Sequence, residues 1–155
     1  MIELGDEKVL YAFDKELEPA LVVPSGTTVR VRTKDCFGNQ VQRPEDELDE
    51  IDWDHINPAT GPIFVEGAVP GGALKVTIEA IEFDGQTASC TGEGEGVCGD
   101  RFDAWSTHLC KIDGDELVWD EELRIPLRPM IGVIGVAPAG EPVNCGTPGS
   151  HGGNM

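Results

Sequence analysis

Three short runs of this 155-residue chain combine side chains capable of chemistry with backbone that can approach a ligand. Ser150-His151-Gly152-Gly153-Asn154 presents an imidazole inside a loop of small residues, where paired glycines allow close backbone approach to a ligand or ion. Asp35-Cys36 falls at the end of an alternating run, just before a Gly38-Asn39 turn. Glu66 precedes Gly67 at the end of an apolar run, so a carboxylate sits beside a position of free backbone. Residue by residue, these read as a lone loop histidine, a strand end and a surface glutamate; nothing in their spacing alone makes a site.

Other runs of polar residues have plainer readings. Arg43–Pro58 is dominated by acid but lacks the alternating Asp/Asn spacing and closing Glu of an EF-hand, so a solvated loop with one short helical turn is expected. His55, at the foot of that loop, reads as a hydrogen-bonded loop residue. Gly94-x-Gly96-x-x-Gly99 matches the dinucleotide fingerprint by letter. Yet no apolar helix follows it, and Glu93 and Glu95 would repel a pyrophosphate, so a wide hairpin loop is expected instead. His108 and Cys110 flank Leu109 in a strand and share one face, which predicts core packing rather than a metal site.

Composition narrows the class. With 29 acidic against 11 basic residues the net charge is −18. That excess opposes nucleic acid and anionic membranes, since gripping a phosphate backbone needs Lys and Arg. No apolar run approaches a membrane span, and the opening Met-Ile-Glu-Leu-Gly-Asp does not read as a signal peptide. The 5 cysteines are odd in number and lack Cys-x-x-Cys spacing, so neither a disulfide framework nor a zinc ribbon is expected, and a reducing cytoplasm is the default location.

The elements that must position these residues are strands. Residues 8–24 read as a strand, a charged turn and an apolar strand ending at Pro24. Thr27–Cys36 alternates most cleanly, with Val29 and Val31 on one side and Arg30 and Arg32 on the other. Residues 60–83 read as two strands around Pro70-Gly71-Gly72, the second with Val76, Ile78 and Ala80 on one face. Lys111–Leu127 gives two further strands with a first turn at Asp113-Gly114. Turns recur at the spacing of a sandwich or barrel, and 20 Gly with 11 Pro suit them. The expected fold is mainly β, a sandwich- or barrel-like antiparallel architecture with little helix and no linker that divides the chain.

Four segments carry a family resemblance: Asp35-Cys36-Phe37-Gly38-Asn39-Gln40; Asn57–Ala68 (NPATGPIFVEGA) with Pro70-Gly71; Arg124–Pro138 (RIPLRPMIGVIGVAP); and Pro148–Met155 (PGSHGGNM). In this order they resemble the N-terminal half of the acetamidase/formamidase family, and they run through essentially the whole of 1–155. Such a family member is about twice this length, so the resemblance implies a complementary C-terminal half that this chain lacks, and implies that the chain is not active alone. The implied activity is hydrolysis of a small amide of the formamide or acetamide type to ammonia and a carboxylate.

The resemblance also implies a divalent metal, zinc by preference with calcium or another ion as alternatives. Asp35 and His151 become its candidate ligands in this half. Glu66 becomes the candidate general acid/base or a further ligand, and Asn154 a residue that orients the amide or bonds its carbonyl. Open-site zinc chemistry uses three protein ligands, so at least one is expected from the complementary half. A homo-oligomer is expected from the same resemblance. Two other readings stand beside it: a thiol amidase with Cys36 as nucleophile, Glu66 as base and Lys34 nearby, and a non-catalytic β-sandwich binding or assembly module.

Overall fold

Short alternating segments cut by glycine and proline turns fold as strands, and no segment has the spacing to build a longer helix. The structure, a computed structural model, describes residues 1–153. Strand makes up 31% of the chain and helix 4%, which bears out the mainly-β reading. In chain order the strands are β1 (Ile2–Leu4), β2 (Val9–Leu10), β3 (Ala12–Phe13), β4 (Leu21–Pro24), β5 (Val29–Val31), β6 (Ala59–Thr60) and β7 (Ile63–Glu66). They continue as β8 (Gln86–Thr91), β9 (Ser106–Asp113), β10 (Glu116–Val118), β11 (Arg124–Pro126), β12 (Ile134–Gly135), β13 (Val143–Asn144) and β14 (Gly152–Gly153). The 3-10 turns are Trp53–His55 and Gly99–Arg101.

The chain forms two compact units built from interleaved stretches, which is why no linker marks them in the sequence. The first takes Met1–Gly38, Asp54–Glu79 and the chain from Met130 onward. Its strands meet in pairs: β2 with β6, β3 with β13 and β12 with β14 run antiparallel. β1 with β5 and β4 with β7 run parallel, a departure from the antiparallel expectation. Leu10, Phe13 and Cys145 form a buried cluster against Ala59 and Val133. Cys145 is stitched into it twice: its amide donates to the Tyr11 carbonyl at 2.9 Å and its thiol to the Leu10 carbonyl at 3.5 Å.

The second unit, Asn39–Trp53 with Ala80–Pro129, is organised on the antiparallel sheet β11-β10-β9-β8. The β9–β10 hairpin turns at Gly114-Asp115, one residue beyond the expected place, with Gly114 at φ 60° as such a tight loop requires. The Arg124 guanidinium donates to Asp113 at 3.1 Å and Glu116 at 3.2 Å, pinning β11 to the hairpin. The Gly94–Gly99 run lies in the loop joining β8 to β9, as expected. Its glycines at 94 and 96 take positive φ, and the Gly94 amide donates to the Gly99 carbonyl at 3.1 Å. On β9, Cys110 is buried and His108 stacks on Trp119 at 4.4 Å, so both serve packing. The acidic loop is a solvated turn: Asp46 accepts the amides of Gln42 and Arg43 and pairs with the Arg43 guanidinium at 2.6 Å.

Two strand expectations need correction. β5 stops at Val31, so Asp35 and Cys36 lie in the loop beyond it, and Lys34 and Cys36 do not share a strand face. Residues 73–84, read as the second strand after Pro70-Gly71-Gly72, are assigned to no ladder. The turn itself forms: the Gly72 amide donates to the Val69 carbonyl at 3.0 Å, with Gly71 at φ 82°. The alternation is sound, but a strand needs a neighbour, and the described residues offer none there.

Candidate functional site

All the described candidate residues belong to the first unit, where three loops meet around Asn57. The Asp35 loop is shaped by its own aspartate. The Asp35 carboxylate accepts the Phe37 amide at 2.9 Å, and its carbonyl accepts the Gly38 amide at 3.0 Å. That is the usual way an aspartate opens a tight turn. Asp35 and Cys36 are both exposed. The next loop is joined to it by the Asn57 amide, which donates to the Cys36 carbonyl at 2.7 Å; Asn57 holds φ 52°, which asparagine tolerates better than most residues. The Asn144–Gly146 turn closes against the same place. The Gly146 amide donates to the Asn144 side-chain oxygen at 2.8 Å, and a Cβ on Gly146 would stand 3.0 Å from the Asn57 side-chain nitrogen.

His151 is positioned by glycines. β14 runs against β12 so closely that a Cβ on Gly152 would collide with the Ile134 carbonyl oxygen. One on Gly135 would meet the His151 carbonyl at 2.9 Å and the Phe13 ring at 3.1 Å. The Val136 amide donates to that carbonyl at 2.9 Å. The imidazole lies tilted on Phe13 at 5.4 Å, half-buried at the edge of the core cluster. Gly-Gly thus serves close approach, as its sequence suggests, and the partner of Gly152 is the backbone of β12; around Gly153 the space is open.

Glu66 ends β7 opposite Pro24 of β4 and is exposed. The Ala68 amide donates to the Val65 carbonyl at 3.2 Å with Gly67 at φ 82°, so Glu66 occupies the second position of a type II turn that demands the glycine. Asn154 lies outside the described residues. Among the described residues no three His, Cys, Asp or Glu side chains converge as a metal-binding group, so Asp35, Glu66 and His151 do not form a ligand set by themselves.

Sequence reading missed the residues that hold this region together. Tyr11 carries His55 edge-on at 4.7 Å, and Phe13 carries His151. Cys145 anchors the Asn144 turn to the opening strands, and its burial pushes the thiol up to about 11. Only the strand read at the start of residues 8–24 hinted at this core; the histidines that rest on it are far away in sequence.

The fold of this chain recurs in solved structures. A recombinant predicted acetamidase/formamidase from Thermoanaerobacter tengcongensis is 49% identical over 99% of this chain, with a TM-score of 0.92. An acetamidase from Bacillus halodurans is 43% identical over 98%, with a TM-score of 0.85. An acetamidase from Yersinia enterocolitica, 22% identical over 99% with a TM-score of 0.74, shares the fold. The chain spans about half of each: 51%, 52% and 52% of their lengths. The curated proteins contain no match. The family model of the acetamidases and formamidases matches residues 4–144, and the chain belongs to the acetamidase/formamidase family.

Proposed function

We propose that this chain supplies one half of an active site that hydrolyses a small amide, of the formamide or acetamide kind, to a carboxylate and ammonia. The observation that carries the reading is its 49% identity, over 99% of its length, to half of a predicted acetamidase/formamidase. Glu66 is exposed on a turn fixed by Gly67, suited to take a proton from the attacking water and return it to the nitrogen as the C–N bond breaks. Asn154, which lies outside the described residues, would orient the amide or bond its carbonyl.

Asp35 and His151 are a hard oxygen donor and an imidazole nitrogen, a pair that suits a divalent ion such as zinc, with a further ligand from the complementary half. Asp35 and His151 would hold such an ion, which would polarise the amide carbonyl and make bound water more acidic. The donors present are right in kind for such an ion, and the reading requires a further ligand from the complementary half.

The test is ammonia release from formamide and acetamide by this chain co-expressed with the second half of the Thermoanaerobacter relative, before and after chelation and metal return. Activity that needs both halves, falls on chelation, returns with metal and survives Cys36→Ala supports the reading. Activity that survives chelation and is lost in Cys36→Ala makes Cys36 the nucleophile. Co-purified halves that release no ammonia with metal supplied refute the function.

A further inference from the structure

The segment after the Gly71-Gly72 turn has the pattern of a strand and none of the pairing. Leu74, Val76 and Ile78 alternate with Lys75, Thr77 and Glu79, and Val76-Thr77-Ile78 is a β-branched run suited to a pleated surface. All three apolar side chains are exposed, at 47%, 50% and 38%. A second feature of the same unit is also uncovered. Val22 and Phe64 are register partners on the β4–β7 pair and are 55% and 52% exposed, while Val23, on the opposite face, is buried.

We propose that Leu74–Ile78 is a docking strand, paired in the assembled protein by a strand from the complementary half of the acetamidase fold. This rests on the reading that the site needs that half. The occupant follows from length: the solved relatives match this chain at TM-scores up to 0.92 and carry nearly as much chain again. A second copy of this chain fits less well, because each copy carries a net charge of −18 and two copies repel. Strand addition satisfies backbone groups along the segment, and the apolar face at 74, 76 and 78 sets the register.

The experiment is amide hydrogen exchange of this chain alone, at low and high concentration, and co-expressed with the second half of the Thermoanaerobacter relative. Amides of 73–79 are expected to exchange freely in the chain alone and about tenfold or more slowly in the complex. Val76→Asp and Ile78→Asp, both at exposed positions, should weaken the complex about tenfold or more, while Val97→Asp in the β8–β9 loop should not. A complex that releases ammonia while 73–79 stays unprotected and Val76→Asp binds normally overturns the docking strand and leaves the functional reading standing. Protection and weakened binding without ammonia release uphold the strand and refute the function. Protection that appears in the chain alone as concentration rises assigns the strand to a second copy and overturns the proposal. Halves that fail to associate refute both.

Discussion

At the scale of single residues, the candidates divide by what their side chains already do. Glu66 makes its turn through its backbone and through Gly67, and its side chain is exposed, as the proposed acid/base role requires. Glu66→Gln should therefore leave the melting transition in place and lower kcat of the two-half enzyme by about 10²–10⁴, as loss of a positioned acid/base does; ammonia release and thermal melting on one sample check both. Cys145 is the opposite case, a group whose burial matters and whose chemistry does not. Its thiol titrates at about 11 in the folded chain against an ordinary value of 9.0, because burial penalises the thiolate. The raised value means that the folded state holds its proton after the unfolded state has lost it. The stabilising contribution is therefore complete below pH 9 and falls away up to about pH 11. Urea midpoints at pH 8 and 10.5 should drop more for the parent chain than for Cys145→Ala, whose slope lacks this group.

At the scale of elements, His151 depends on two pieces of packing far away in sequence. Phe13 supports the ring and is buried with Leu10 and Cys145, so Phe13→Ala should cost about 3–5 kcal/mol and release the imidazole from its resting place. Gly152→Ala acts on the backbone instead, because the new methyl runs into the Ile134 carbonyl and must part β14 from β12. Its expected signature is faster exchange of the Val136 amide, which donates to the His151 carbonyl, together with a shifted His151 imidazole resonance. Unchanged exchange in Gly152→Ala would mean that the ladder does not position the ring. These dependencies explain what the sequence displays and what it hides. An apolar run located β4 and alternation located β5 and β7, because both signals are local. The parallel pairing of β4 with β7 was hidden, since it joins residues some forty positions apart and leaves no mark in either strand. Leu74–Ile78 shows the converse: its pattern is legible, while its pairing depends on a neighbour that local sequence does not name. Likewise Asp35 and His151 drew notice by residue type, whereas Tyr11, Phe13 and Cys145 look like ordinary core residues until the loops they support are placed.

At the scale of the whole molecule, charge governs more than any single contact. The net charge is −18, and most of the excess acid lies in Asn39–Trp53 and Ala80–Pro129, the stretches of the second unit. Its ion pairs among the described residues include Arg43 with Glu45 and Asp46 and Arg124 with Asp113 and Glu116, and pairs at the surface are only weakly stabilising. Salt acts on this balance in two directions. It weakens the exposed pairs, and it screens repulsion among the carboxylates, which outnumber the cations. Repulsion involves far more charges, so screening it should win. The urea midpoint is expected to rise between about 10 mM and 1 M sodium chloride, as the screening length shrinks from about 30 Å to about 3 Å. Most of the rise should come at the low end, where the screening length changes most, which separates it from the general salting-out effect that grows at high salt. Arg43→Gln removes an attractive cation from the acidic loop and should steepen the low-salt part of the curve. A midpoint that falls with salt would show that the ion pairs outweigh the repulsion, and that the acidic surface does not oppose the fold.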